Sequence, residues 1–415
     1  MIPIVENVER RVLPNGLTVL TRPSQANDIV AVTVMLGIGS IREAEDQAGL
    51  SNLTQALLLK GTASRTAEQI ALEMASAGSR ISAFAARDYG AISLIATSDG
   101  LAESLPVLFD VLQNPSFPPD EVAHEIAQTL QKIRAKEDQL LQKTVELLAE
   151  TYYGTHPYHK PLLGYPETVP QLTRKTVSNF FNTYYRPNNA ILSVVGNFDR
   201  PWLLDRVEER LGGMSPAPLP PFDGAPPPPL AAPRQRVEFR ESQAVWVAVG
   251  FGAPPITHAD HPAMEALDAI LGGSMNCRLF TELRDRRGLA YQVGSSYAAR
   301  PGPSAFVAYI GAGPDSFEVA REGLLGELWK VRAEPVTEEE LRLAKAYIQG
   351  TFVMGQERNS SQAALFARYE AVGLGHDYVH RYPGLIDRVT VDDVLRVART
   401  HFHDAYALGA VVPKT

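Results

Sequence analysis

The sequence contains very little cysteine, and this scarcity excludes two kinds of protein. Cys277 is the single cysteine in 415 residues. An intrachain disulfide framework and a cluster of thiolate zinc ligands are therefore both impossible. Catalysis by the Cys277 thiol stays open in principle, but its neighbours Gly272, Gly273 and Ser274 are small. A free cysteine in such a stretch is typical of simple packing.

Long apolar runs and an excess of positive charge are missing as well. No run reaches the length of a membrane-spanning helix, so we expect no membrane partner. The opening "MIPIVENVERRVLPNGLTVL" lacks the basic and apolar regions of a signal peptide, which predicts a cytoplasmic protein. The formal net charge of −8 argues against a nucleic-acid partner. A hydrophobic content of 45% and a charged content of 21% are typical of a soluble globular protein.

Proline is concentrated in one segment, which divides the chain. Nine of the 31 prolines lie between Ser215 and Pro233. Proline fixes φ and donates no backbone hydrogen bond, so this stretch predicts an extended linker. We therefore expect a domain at 1–213, a linker at 214–233 and a second domain at 234–415. Both parts have an ordinary domain size.

The two parts show the same order of predicted elements. The first begins with two short strands around an Asn-Gly turn at Asn15-Gly16, and the second with the β-rich run from Arg236 to Pro255. A helix follows in each part, and each closes on an apolar strand, at Asn189–Phe198 and Ala405–Pro413. This duplication predicts an α+β fold of two homologous halves, each a mostly antiparallel sheet covered by helices on one face.

Each half also contains a long helix. The first is predicted to run from Glu121 to about Tyr152, with Asp120 as its N-cap. The second is predicted to begin after Thr337, where Glu340 completes a capping box.

The stretch "GLSNLTQALLLKGTASRT", from Gly49 to Thr66, combines an apolar helical stripe with polar neighbours. Asn52, Gln55 and Ala56 lie three and four residues apart on one helix face. That spacing often carries chemistry, although none of the three is a good acid, base, nucleophile or metal ligand.

Four segments together resemble the M16 (pitrilysin-like) metallopeptidase family, in its bacterial and mitochondrial-processing-peptidase branch. They are "GLSNLTQALLLKGTASRT", "YYGTHPYHKPLLGYPETVPQLT", "FFNTYYRPNNAILSVVGNFD" and "LFTELRDRRGLAYQVGSSY". The resemblance extends over nearly the whole chain and implies the duplicated metalloenzyme-like fold of that family.

The resemblance implies a zinc site that has lost its ligands. In the family an H-x-x-E-H helix supplies two histidine ligands and a glutamate base, and a later helix supplies a glutamate ligand. These positions correspond to Asn52, Gln55, Ala56 and Lys132, and Glu125 matches a further acidic position. An ammonium group at Lys132 repels a cation. We therefore expect no zinc in this chain and no peptide hydrolysis by the chain alone.

The resemblance also implies a role for the second half. The family uses an Arg and a Tyr seven residues apart to bind the substrate backbone, and Arg284 and Tyr291 have that spacing. They are predicted at a helix end (Leu279–Arg287) and in a strand beginning at Leu289, with Gly288 between. This implies the non-catalytic subunit of a heterodimer, whose homologous partner has an intact H-x-x-E-H motif and holds the zinc. The expected substrate is a peptide, and a homodimer is possible in isolation.

Two alternatives stay open. Relatives of this fold include structural subunits without proteolysis, so a scaffold role is the first alternative. The second is a peptide-binding module that uses an open sheet edge.

In the zinc-site region we also expect Asn52, Gln55 and Lys132 to hydrogen-bond one another.

The histidines are interpreted as structural. His156 and His159 are expected in a structural loop, and His258 and His261 in a solvated loop and helix start. His401 and His403 are expected at a helix end, where positive charge favours the helix dipole.

Overall fold

The computed structural model describes residues 7–221, 226–227, 229–273 and 276–414. These residues form two β-sheets with helices, as the sequence predicts. The first sheet has six strands: β1 (Glu9–Val12), β2 (Thr18–Pro23), β3 (Ile29–Leu36), β4 (Arg80–Ala85), β5 (Gly90–Thr97) and β6 (Ala190–Gly196). The second has five: β7 (Arg234–Arg240), β8 (Val245–Ala253), β9 (Ala290–Ala298), β10 (Ser304–Ala312) and β11 (Ala407–Pro413).

The strand order is β1-β2-β6-β3-β5-β4 in the first sheet and β7-β11-β8-β10-β9 in the second. Each sheet has one parallel pair, β2 with β6 and β7 with β11, and its other pairs are antiparallel. The predicted mostly antiparallel α+β class is therefore confirmed. The outer strands β4 and β9 each have one edge that no described strand pairs with.

Thirteen α-helices are present in the described residues. Those of the first half are α1 (Leu50–Leu57), α2 (Ala67–Ser76), α3 (Leu101–Gln113), α4 (Pro119–Glu137), α5 (Leu140–Tyr153), α6 (Arg174–Tyr184) and α7 (Arg200–Leu211). Those of the second are α8 (His261–Leu271), α9 (Phe317–Ala333), α10 (Glu338–Met354), α11 (Asn359–Ala371), α12 (Tyr378–Asp387) and α13 (Val391–His401).

Local sequence signals place several of these elements. The Asn15-Gly16 turn connects β1 and β2, where Gly16 has φ +87°, a conformation that glycine adopts without a steric penalty. The capping box of α10 is confirmed, because the Thr337 hydroxyl accepts from the Glu340 N–H (3.1 Å) and Glu340 Oε2 accepts from the Thr337 N–H (2.8 Å).

The prediction of one helix from Glu121 to Tyr152 is wrong. Two helices are present instead, and the chain leaves helical conformation at Asp138 and Gln139. Asp120 lies inside the first turn of α4 and is not its N-cap. Helical periodicity continues on both sides of the break, so the sequence pattern alone did not reveal it.

The described chain forms two compact units, and each includes a segment from the other sequence half. The first unit comprises described residues of 1–133, 161–223 and 353–380, and the second those of 134–160, 224–352 and 381–415. Helix α11 packs on β3 and β6 in the first unit, and α5 packs on β8 and β11 in the second. Each sheet is thus packed against a helix that comes from the other half of the sequence.

The domain boundaries at 213 and 234 are placed between the two repeats of the sequence, and they stay a prediction. Part of the predicted linker, residues 222–225 and 228, lies outside the described residues. Within the part of the chain that the structure describes, no helix is both long and apolar enough to cross a membrane.

Candidate functional site

Helix α1 carries three of the predicted site positions, and a buried carboxylate fixes its start. Glu43 accepts hydrogen bonds from the Gly49 N–H (3.0 Å) and the Ser51 N–H (2.7 Å). These are free donors of the first helical turn, which need a partner. Gly49 has φ +98°, and a Cβ there would lie 2.6 Å from the Leu163 carbonyl oxygen, so the position requires glycine. No motif in the sequence marks Glu43 for this role.

Leu53 and Leu57 lie on the apolar face of α1, and because both side chains are fully buried they orient the helix. Asn52 and Ala56 are half-buried, whereas Gln55 is only 1% exposed. Neither amide atom of Gln55 has a hydrogen-bond partner within the described residues. The side chain packs tightly near Gly90, where an added Cβ would lie 2.2 Å from Gln55 Nε2. An unsatisfied buried amide is destabilising, so Gln55 is an exception to ordinary core chemistry.

Helix α4 carries the fourth position, Lys132, in an ion pair. Lys132 Nζ donates to Glu125 Oε1 at 3.1 Å, and Lys60 Nζ lies 3.9 Å from Glu125 Oε2. Glu125 is only 3% exposed, whereas the Lys132 side chain is 52% exposed. The buried carboxylate is thus neutralised by two ammonium groups that reach it from outside.

The expected hydrogen bonding among Asn52, Gln55 and Lys132 is wrong. Lys132 bonds to Glu125, and the Gln55 amide has no partner among the described residues. The physical reason is charge, because a carboxylate binds an ammonium group more strongly than a neutral amide oxygen does.

The donor set at these four positions does not fit zinc. Ala56 has no donor atom, and Lys132 brings positive charge where a cation would need an anion. Gln55 cannot accept a proton from water as a glutamate base does. Within the described residues, no group of three or more His, Cys, Asp or Glu side chains could hold a metal ion.

Arg284 lies on an unusual helix in the second unit. Residues Phe280–Arg286 form a π-helix, a form that occurs mostly as short insertions and frequently at functional sites. The Arg284 guanidinium lies 4.9 Å from the centroid of the Phe280 ring, and the side chain is exposed. Glu282 binds Arg286 (3.3 Å) and Arg287 (2.9 Å). Within the described residues Arg284 therefore keeps its charged donors unpaired.

Tyr291 lies in the outer strand β9, at a β-bulge. Ala290 pairs with Ala312 and Gln292 with Gly311, so Tyr291 is the extra residue between two paired positions. Bulges redirect side chains and are common next to functional sites. Tyr291 is 65% exposed, so most of its side chain is accessible to solvent.

The local structure around the pair matches the prediction in outline. A helix ends near Arg287, Gly288 has φ +61°, and the strand begins at Ala290. The π-form and the bulge were not predictable, because both depend on hydrogen-bond registers that residue types do not specify. Arg284 and Tyr291 belong to the second unit, and the four zinc-site positions belong to the first.

Two histidines lie at a helix start and a helix end, as predicted, but their predicted surroundings are wrong. His261 is buried rather than solvated, and its Nδ1 lies 3.3 Å from the Tyr297 hydroxyl. His401 has a pKa lowered by burial, and its Nδ1 lies 2.9 Å from the Gly252 carbonyl oxygen. It is therefore neutral at pH 7, which removes the charge needed for a favourable contact with the helix dipole.

The other histidine and cysteine positions agree with a structural role. Pro157–His159 form a short 3-10 turn that His156 caps, and His156 is buried. His258 is exposed in its loop. Cys277 is buried.

Comparison with known proteins gives consistent matches along the chain. Residues 18–165 match the family model described as "Insulinase (Peptidase family M16)", and residues 171–348 match "Peptidase M16 inactive domain". An uncharacterized zinc protease of Mycobacterium tuberculosis is 28% identical over 407 residues, which cover 97% of this chain and 93% of that protein. One of Bacillus subtilis is 24% identical over 414 residues, covering 98% of both.

Two solved structures have the same fold. A protease from Helicobacter pylori superimposes with a TM-score of 0.93 at 24% identity, covering 99% of this chain and 100% of that one. A structure described as a peptidase M16 inactive domain, from Pseudomonas fluorescens, gives a TM-score of 0.92 at 20% identity, covering 99% of both chains. These likenesses confirm the two-sheet α+β fold.

Proposed function

Because residues 18–165 and 171–348 match models of the peptidase M16 family, the chain belongs to that family, and we propose that it is the non-zinc-binding subunit of a two-chain peptidase. A homologous partner with an intact H-x-x-E-H motif carries the zinc. This chain supplies Arg284 and Tyr291 to the peptide substrate. Alone, the chain binds no zinc and hydrolyses no peptide.

The observation that carries the proposal is the state of Arg284 and Tyr291. Both side chains are exposed, on a π-helix and at a β-bulge. The Arg284 guanidinium offers a planar set of donors that no described carboxylate occupies, which suits a peptide carbonyl. The Tyr291 hydroxyl can donate to the oxyanion that develops when water attacks that carbonyl. Donors held ready for developing charge stabilise the transition state.

The degenerate zinc site supports the same division of labour. Relatives of the chain are described as zinc proteases, yet none of the four corresponding positions here suits a metal or a base. Lys132 neutralises the Glu125 carboxylate, so this carboxylate is not free to bind a cation. Hydrolysis therefore needs a zinc ion and a base from another chain.

The proposal is tested by mixing the chain with an M16 chain that has an intact motif, from the same organism. We expect peptidase activity from the mixture. Arg284→Ala and Tyr291→Phe should each lower kcat/KM by at least about tenfold, because each removes a donor to the reacting carbonyl.

Arg286→Ala is the matched control, since Arg286 is an exposed neighbour that pairs with Glu282. It should change kcat/KM by less than about twofold, as expected for a surface ion pair. Size-exclusion chromatography shows whether each variant still assembles. Full activity of both Arg284→Ala and Tyr291→Phe in assembled mixtures would disprove the role.

A second candidate function, peptide binding without hydrolysis, has one observation in its favour. The outer strand β4 exposes alternate residues, and a cavity of about 250 Å³ lies beside it, lined by Phe84, Tyr89 and Arg368 among others. A peptide added along β4 could place a side chain there. Peptide binding by the chain alone that is unaffected by Arg284→Ala would favour this function.

A further inference from the structure

A cleft of about 610 Å³ lies in the second unit, and neither Arg284 nor Tyr291 is among the described residues that line it. Its walls come from α5, from the end of β8, from the β9–β10 turn and from the segment after α13. Prolines of the linker, Pro226, Pro227 and Pro229, complete the lining. Clefts of this size typically bind small molecules or peptide segments.

The chemistry of the cleft suits an uncharged ligand. Among the described residues that line it, none is Asp, Glu, Lys or Arg, and the aromatic faces come from Tyr152 and Phe251. Burial raises the pKa of Tyr152 and lowers that of His401, so both are neutral at pH 7. Since His401 Nδ1 donates to the Gly252 carbonyl, its Nε2 is left as an acceptor, and the Tyr152 hydroxyl is a donor.

Gly252 permits this arrangement. A Cβ at Gly252 would lie 2.6 Å from the Tyr152 hydroxyl oxygen, so a larger residue would displace the phenol. The same residue anchors His401 through its carbonyl. The position of the Tyr152 hydroxyl therefore requires glycine at 252, and the backbone of the same residue holds the His401 ring.

The linker is already attached at one end of the cleft. Leu230 packs with Tyr152 against the buried residues Leu148, Ala248 and Ala407. The prolines just before Leu230 have a fixed φ, and a residue that precedes proline avoids the helical region. They therefore favour the extended polyproline II conformation, whose carbonyl groups point outward and need donors. Aromatic grooves with a phenolic donor recognise such segments.

We propose that this cleft binds uncharged proline-rich peptide segments in the polyproline II conformation, and that the chain's own linker competes for it. The linker prolines already lie along one wall of the cleft, so a second segment in the same conformation has to displace them. The proposal is independent of the peptidase role, because it uses neither Arg284 nor Tyr291.

The test uses the full chain and a fluorescein-labelled peptide, GAPPPPLAAP, which repeats residues 224–233. Fluorescence anisotropy is measured with the unaltered chain and with a variant in which Pro226, Pro227 and Pro229 are replaced by serine. We expect saturable binding to the variant, at least about fivefold tighter than to the unaltered chain, because a tethered competitor has been weakened. A peptide with serine in place of every proline should not bind.

Ala405→Trp in the serine-linker background places a large side chain in the cleft and should weaken binding at least about tenfold. Ala405→Ser is the matched control and should not weaken it. If Ala405→Trp does not fold, a benzophenone version of the peptide replaces it, and cross-links should map to Tyr152, Phe251 or His401. The absence of saturable binding, equal affinity for the unaltered and serine-linker chains, unchanged binding to a folded Ala405→Trp variant, or cross-links elsewhere would overturn the proposal.

Discussion

At the scale of single residues, the ion pair of Lys132 and Glu125 explains how the first unit tolerates a buried carboxylate. In the family arrangement that the sequence resembles, acidic side chains near this point accompany a cation. Here Lys132 and Lys60 provide the positive charge instead. A buried carboxylate that loses its partner is strongly destabilising.

Lys132→Met therefore should lower the free energy of unfolding by about 1–2 kcal/mol, since the ammonium is half exposed and Lys60 still compensates in part. Urea unfolding followed by circular dichroism measures this change. In a Glu125→Gln background the same substitution should cost much less. Equal costs in both backgrounds would show that packing, and not charge, is responsible.

Residue types alone could predict much of the candidate site. The absence of ligands at Asn52, Gln55, Ala56 and Lys132 follows from the chemistry of those side chains, once a motif identifies the positions. Their actual partners could not be predicted. Whether Lys132 bonds to Gln55 or to Glu125 depends on side-chain geometry, and the stronger charge interaction decides it.

At the scale of elements, the start of α10 combines a capping box with an ion pair. Glu340 accepts from Arg278 Nε (2.6 Å) and Nη2 (2.9 Å), as well as from the Thr337 N–H. The Arg278 guanidinium lowers the pKa of Glu340 from 4.5 to about 2. The carboxylate thus fixes the helix start only while it is ionised.

Glu340→Gln should therefore destabilise the protein in a pH-dependent way. Because the folded-state pKa is lower than the unfolded one, the stabilisation is fully present above about pH 5 and is lost as the pH falls toward 2. The difference in unfolding free energy between wild type and variant should shrink over that range in urea titrations. Glu339→Gln, which removes an exposed pair with Arg342, should show a smaller difference. A difference that does not vary with pH would contradict the assignment.

Elements with strong local signals could be predicted, and those that depend on long-range contacts could not. The Thr337 cap and the Asn15-Gly16 turn rest on neighbouring residues, and both appear as expected. The break at Asp138 and the bulge at Tyr291 carry no such signal. Tertiary context determines both.

At the scale of the whole molecule, each compact unit contains a helix from the other half of the sequence. Helix α5 packs closely on β8 and β11 because glycines provide the space. A Cβ at Gly409 would lie 2.5 Å from the Thr144 carbonyl oxygen and 2.5 Å from the Leu148 nitrogen, both of α5. The repeated order of elements in the sequence predicts two sheets. It does not reveal that each unit contains a helix from the other half of the sequence.

Gly409→Ala should therefore cost about 1–3 kcal/mol, because the helix backbone must move away from the strand. Differential scanning calorimetry measures the loss. Gly326→Ala in α9 is the matched control, since among the described residues no atom beyond its own helical turn lies within 4 Å of the added Cβ. That change should be neutral or stabilising by up to about 1 kcal/mol. If Gly409→Ala is as stable as Gly326→Ala, the packing of α5 is looser than described.

In the proposed two-chain peptidase, this chain contributes substrate-binding groups and the partner contributes the zinc. The most direct test is the zinc content, by mass spectrometry, of the purified chain and of its complex with an intact-motif M16 partner. We expect far less than one zinc per isolated chain, and about one zinc per two-chain complex, since only the partner has suitable ligands. One tightly held zinc per isolated chain, or two per complex, would show that this chain binds zinc itself.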